Sequence, residues 1–191
     1  MADLLRTGSL RLALVTVGAA LCLPTTSPAQ GYPFSQRSTL SQSVALTDIT
    51  ISYGRPLARG RELFGRLVPW DSIWHPGADS ATRIAFTHDV RLEGHDVKAG
   101  EYSIWLVPRE HAPWTFILNS RARAFHKPYP GAGSEVLRAD VTPETASHME
   151  SMAIYFPVVR RDSAVMRIHW GTTAVPLRIT APYRPGPNAD H

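Results

Sequence analysis

The segment GEYSIWLVPREHAPWTFILN, residues 100–119, carries the clearest structural signal in the chain. Tyr102, Ile104 and Leu106 alternate with Ser103, Trp105 and Val107. A period of two belongs to an extended strand, whose successive side chains point to opposite faces. Because Trp105 and Val107 are apolar as well, the strand is expected to be central and covered on both faces. Trp114, Phe116 and Leu118 repeat the rhythm beyond a turn at Arg109 to Pro113 and read as its partner.

The same rhythm extends in both directions. Upstream, Val90 and Leu92 precede a Gly94-His95 turn and a short strand around Val97, and Ile84 and Phe86 form another strand. Leu40, Val44 and Leu46, then Ile49, Ile51 and Tyr53, predict a first hairpin that turns at Thr47-Asp48. Downstream come Leu137, Ala139 and Val141, then Met152, Ile154 and Phe156, then Ala164, Met166, Ile168 and Trp170. Gly171-Thr172 suits a two-residue hairpin turn. Val175, Leu177 and Ile179 follow, with Pro176 demoting that strand to an edge or a bulge. One short helix is expected after Thr142, with Thr as cap and Pro143 at the first helical position. About ten short strands without a long helical pattern predict an all-β fold, an antiparallel β-sandwich, with a jelly-roll-like or closed barrel as the alternative.

The ends read differently. Arg6 and Arg11 precede the apolar run Leu12 to Leu23, and Ser27-Pro28-Ala29 supplies small residues for a peptidase. This pattern predicts a signal peptide over residues 1–29, cleaved before Gln30, and hence export to the periplasm or the outside of a bacterial cell. The run is too short to span a bilayer, which needs about 20 apolar residues. Residues 30–37 form a short lead, 38–181 one sandwich domain, and the polar, proline-bearing residues 182–191 a disordered tail. Cys22 is the chain's one cysteine, so the mature domain has no disulfide and no thiolate ligand. A formal charge of +4 without a basic block gives no support to nucleic-acid binding.

Residues 54–80 break the alternation, and a connection this long in a compact domain is commonly functional. Leu57, Leu63, Phe64, Leu67, Trp70, Ile73 and Trp74 would keep it docked and ordered. The segment has two readings. It closes one end of the sandwich, with its charged groups serving structure. Alternatively it walls a pocket in which Arg55 or Arg61 holds an anion and Trp70 or Trp74 offers an aromatic face. His75 and Asp79 are side-chain types suited to acid–base work, yet one pair is too few for zinc, and neither metal nor cofactor is expected. Gly60 to Gly65 has phosphate-loop glycine spacing, but Arg66-Leu67 stands where Lys and Ser or Thr are needed. The aromatic and basic run Phe125 to Tyr129 is either a second pocket wall or turn packing.

Ser41-Gln42-Ser43-Val44, Thr47-Asp48-Ile49-Thr50-Ile51, Tyr53-Gly54-Arg55-Pro56, Gly60-Arg61 and Phe64-Gly65 occur in that order. Leu67-Val68-Pro69, Trp74, Gly77-Ala78, Ala81-Thr82, Ala99-Gly100-Glu101-Tyr102, Pro108 and Trp114-Thr115 continue the pattern. In order and spacing these motifs resemble the bacterial family of domain of unknown function 2911, over roughly residues 38 to 180. The resemblance implies export, a single β-rich domain and no assigned activity. The family pattern has an arginine after the tryptophan and an asparagine after Gly-Ala, where this chain has His75 and Asp79. That departure speaks against an obligatory step at either position.

Two functions follow as expectations. The first is a non-catalytic envelope module that binds a small ligand, glycan or envelope protein through Arg55, Arg61, Trp70, Trp74, His75 and Asp79. The second is a small hydrolase or isomerase using His75 as base, Asp79 as orienting carboxylate and Arg61 as anion holder. For the export reading, intact-mass measurement of the secreted protein should return a chain that begins at Gln30. A product still carrying residues 12–23 would refute it.

Overall fold

The computed structural model describes residues 35–182. The signal-peptide reading, Cys22, residues 30–34 of the lead and the tail beyond Pro182 lie outside the described residues. Ten strands build two antiparallel sheets. The chain forms β1 (Gln36–Val44), β2 (Thr47–Arg55), β3 (Arg83–Phe86), β4 (Val90–Leu92) and β5 (His95–Val97). It continues with β6 (Gly100–Val107), β7 (Trp114–Asn119), β8 (Glu135–Val141), β9 (Glu144–Val159) and β10 (Ser163–Thr180). One sheet runs β1-β2-β3-β6-β7-β8 and the other β5-β4-β10-β9. Neither closes on itself, so the expected sandwich forms and the alternative barrel does not. No helix among the described residues is long and apolar enough to cross a membrane.

The two-residue rhythm accounts for this architecture. Ile51, Ile84 and Tyr102 lie side by side across β2, β3 and β6, and Ile104 opposes Leu118, which opposes Leu137. These side chains meet Leu92, Met152, Ile154, Met166, Ile168 and Leu177 of the second sheet in one core. Full burial of each large apolar side chain contributes about 1.5–3 kcal/mol relative to exposure. A one-residue slip in any strand would therefore expose a whole row. β6 is central, as expected, and Trp105 on its outer face packs with Ile117 and Ala81 in a second, smaller cluster.

Several local expectations are corrected. The first hairpin turns at Ala45 and Leu46, since Val44 pairs with Thr47. Ala45 takes a φ of +51°, and Leu46 sits at the tip, 73% exposed. Thr47 and Asp48 are strand residues, with Ser43 Oγ donating to Asp48 at 2.6 Å. Likewise, β4 pairs Leu92 with His95, so the next turn is Glu93-Gly94. β1 begins at Gln36 and takes in the end of the expected lead.

The expected helix after Thr142 is absent. Glu144 opens the sixteen-residue β9, because Glu144 and Thr145 find ladder partners in Ala174 and Thr173. The described residues contain only a three-residue 3-10 turn, Ala132–Ser134. Gly171-Thr172 is likewise no hairpin turn, since β10 runs straight through it. Gly171, at φ +58°, lies at a register irregularity opposite Met149, and a Cβ there would stand 2.7 Å from Leu63 Cδ1. The glycine thus makes a bulge that admits Leu63. Nor is the Pro176 strand an edge, because β10 lies between β4 and β9. Its ladder to β9 ends at Ala174 and its ladder to β4 begins at Ile179, so Pro176 falls where neither needs a donor.

Gly54, near the end of β2, is where the returning connection packs against the sheet. A Cβ there would lie 2.4 Å from the Ala78 carbonyl oxygen, a backbone atom that cannot step aside. Gly54→Ala should therefore destabilise the fold by about 1–3 kcal/mol, the usual cost of overpacking. Urea unfolding should show this as a lowered midpoint, and an unchanged midpoint would mean that the 54–78 contact contributes nothing.

Candidate ligand-binding site

The connection between β2 and β3 is ordered because its backbone groups have partners. It first runs along the free edge of β9. Ala58 N–H donates to Glu150 O at 2.8 Å, Met152 N–H to Pro56 O at 2.9 Å, and Ile154 N–H to Tyr53 Oη at 2.9 Å. Arg55 Nε donates to Met152 O at 3.0 Å. The side chain expected to hold an anion is instead engaged in sealing a sheet edge.

The chain next turns sharply at Arg59 and Gly60, both with positive φ. Arg61 folds back over this turn, its Nε donating to Ala58 O at 2.9 Å and its NH2 to Leu57 O at 2.5 Å. Arg59 N–H donates to Glu150 Oε1 at 2.7 Å, and His148 Nε2 lies 3.1 Å from Glu150 Oε2. The backbone hydrogen bond from Arg59, followed by that from His148, holds the exposed Glu150 carboxyl below its ordinary pKa. A loop from Leu63 to Val68, closed by Val68 N–H to Leu63 O at 2.7 Å, then carries Phe64 over the end of the sandwich.

Phe64 is the hub of the site. Its ring meets Trp114 at 4.7 Å and Trp74 at 5.7 Å edge-on, Trp70 at 6.3 Å stacked, and Trp170 at 6.4 Å edge-on. Trp74 stacks on Trp170 at 6.1 Å with planes 17° apart. Four of the chain's five tryptophans thus converge on one phenylalanine. Such offset and edge-on pairs are each worth about 0.5–1.5 kcal/mol beyond area burial.

Two of the clefts beside this cluster share a wall. One, of about 370 Å³, is walled by Arg61, Phe64, Trp70, His148, Trp170 and Thr173. The other, of about 330 Å³, lies between Leu57, Arg61, Leu67, Trp74 and Trp170. Arg61 and Trp170 border both. Trp170 is buried, and its Nε1 has no hydrogen-bond partner among the described residues. An orphaned indole N–H is costly in an interior, typically about 1–3 kcal/mol.

Of the side chains singled out from the sequence, Arg61, Trp70 and Trp74 come together here, while Arg55, His75 and Asp79 do not. His75 is buried beside Trp105, with ring centroids 5.7 Å apart, on the outer face of the six-stranded sheet. Burial first, and then the nearby His126, push its pKa down from 6.5 to about 4. Asp79 is exposed, at φ +63°, and forms no hydrogen bond or ion pair with His75. Phe125 and His126 pack on each other at 4.5 Å, with His126 6.3 Å from His75. Among the described residues, no group of three or more His, Cys, Asp or Glu is arranged to hold a metal ion.

Phe64, His148, Trp170 and Thr173 complete the site, and none was singled out from the sequence as a ligand contact. The only available signal was the small-residue run Gly171-Thr172-Thr173 after Trp170, which has the composition of a turn.

A family model described as Protein of unknown function (DUF2911) matches residues 35–179, nearly the whole of the described part. No curated protein and no solved structure matches the chain.

The low pKa of His75 carries a stability consequence. Between pH 6.5 and about 4 the unfolded chain binds a proton at this position that the folded chain refuses, so acidification through that window removes stability. The loss is on the order of 3 kcal/mol at most, from 1.36 kcal/mol per pKa unit. His75→Leu should keep the fold and flatten the pH dependence of the urea midpoint across the window. An unaltered pH profile in that variant would show that His75 is not the titrating group.

Proposed function

The chain belongs to the DUF2911 family of proteins of unknown function, and from that premise, which supplies no activity, we propose a non-catalytic, glycan-binding module of the bacterial cell envelope. One observation carries the reading: a cleft walled by Trp70 and Trp170 and bordered by Arg61, His148 and Thr173. A sugar ring presents an apolar C–H face and a rim of hydroxyls. Trp70 would receive the face, while Arg61 and Thr173 would meet the rim. Export, as read from residues 1–29, would set the domain among the polysaccharides of the envelope.

The separation of the acid–base candidates weighs in favour of binding over hydrolysis. His75 lies against Trp105, Asp79 is exposed with no bond to it, and Arg61 lies by Phe64. A hydrolytic site would require base, orienting carboxylate and anion holder within hydrogen-bond reach of one another.

Because Trp70 and Trp170 wall the cleft, intrinsic fluorescence reports on its occupancy. Chitotetraose or cellotetraose should produce a saturable change in tryptophan emission. Trp70→Ala and Arg61→Ala should each weaken that response at least tenfold while thermal unfolding stays cooperative. No saturable response to either sugar, or an undiminished response in both variants, would overturn the proposal.

A further inference from the structure

The outer face of the six-stranded sheet holds a second concavity, of about 350 Å³, that owes nothing to the aromatic cluster. Arg37, Ser52, Ser80, Arg83 and Arg123 line it. The sheet register brings two of the arginines together. Ser52 of β2 pairs with Arg83 of β3, and Arg37 of β1 reaches across to donate from NH2 to Ser52 Oγ at 3.0 Å. Arg83 and Ser52 alternate with the buried Ile84 and Ile51, so both project to the outer side.

The third arginine arrives from a distant part of the chain. Ser103 Oγ donates to Arg121 O at 2.9 Å, and Ala81 N–H donates to Ala124 O at 3.0 Å. These bonds lay residues 121–124 over the sheet, so that Arg123 lines the concavity together with Ser80.

Three guanidinium groups therefore surround one concavity whose lining holds no carboxylate. The side chains of Arg83 and Arg123 make no hydrogen bond or ion pair among the described residues, and Asp79, next to Ser80, pairs with none of the three. Elsewhere in this protein arginines have carboxylate partners, as in Arg138 with Glu135 at 2.7 Å and Arg167 with Glu144 at 2.7 Å. Like charges held together without a counter-ion repel, and a fixed fork of N–H donors matches the oxygens of a tetrahedral oxyanion.

We propose that Arg37, Arg83 and Arg123, with the hydroxyls of Ser52 and Ser80, form a binding site for a dianionic phosphate or sulfate group. The group can belong to a soluble ester or to the headgroup of an anionic lipid, and the chemistry that recognises it is the same. The site lies apart from the Phe64 clefts and does not rest on the glycan reading.

Calorimetric titration with inorganic phosphate at constant ionic strength, with sodium chloride as the matched control, tests the site. Saturable binding is expected, weakened at least tenfold in both Arg83→Gln and Arg123→Gln, each of which should melt cooperatively. A phosphate response no larger than that of chloride, or wild-type affinity in both variants, would overturn the proposal. A second arm uses phosphatidylcholine vesicles with and without phosphatidic acid. Capture by the phosphatidic acid vesicles, reversed by free phosphate and lost in Arg83→Gln, supports the site with a lipid headgroup as source. Phosphate binding without vesicle capture supports it with a soluble ester.

Discussion

Backbone hydrogen bonds between Pro56–Ala58 and Glu150–Met152 do two things at once. They satisfy the free edge of β9, which would otherwise offer unpaired N–H and C=O groups to another chain. They also fix the start of the long connection, so that the Arg59-Gly60 turn, the Phe64 loop and the return at Ala78 all follow from a tethered origin. Arg55 and Tyr53 reinforce the same seam through Met152 O and Ile154 N. The clefts exist because this segment is held at the mouth of the sandwich.

The Phe64 cluster has a deep part and a shallow part. Trp114 and Trp170 belong to strands or their ends and are buried, while Phe64, Trp70 and Trp74 come from the connection and are only partly covered. The deep members anchor the connection, and the shallow members supply the exposed aromatic faces. Gly171 belongs to this arrangement, since the bulge that accepts Leu63 also brings Trp170 and Thr173 to the wall of the larger cleft.

The two faces of the six-stranded sheet differ in chemistry. The inner face is wholly apolar at its centre. The outer face combines the small Trp105 cluster, the buried neutral His75 and the uncompensated arginines. Tyr129 lies over Trp105 at 5.0 Å, and its hydroxyl pKa is pushed up to about 12 by burial and by the hydrogen bond it donates to Glu135. Strands β1 and β3 and the long connections together place ionisable groups on this face, whereas the inner face is mainly packing.

How far these features were legible depends on the range of the forces behind them. Alternation from Leu40 to Ile179 specified strands and the buried row of each, because side-chain direction in an extended chain is local geometry. Turn positions slipped by a residue or two at Ala45-Leu46 and Glu93-Gly94, since cross-strand pairing, rather than the best turn residue, selects the register. Thr142-Pro143-Glu144 has the local marks of a helix start, yet ladder partners 30 residues away overrode them. Arg61, Trp70 and Trp74, drawn from the one polar and aromatic connection, come together beside Phe64. Arg55, His75 and Asp79 belong to the same connection but face other surroundings. Periodicity and solvent exclusion, both readable along the chain, specified the sheets, their apolar interior and an ordered connection over residues 54–80. That Trp170 meets Phe64 and that Arg123 lines one concavity with Arg83 follow from how distant segments pack on each other, which no local pattern encodes.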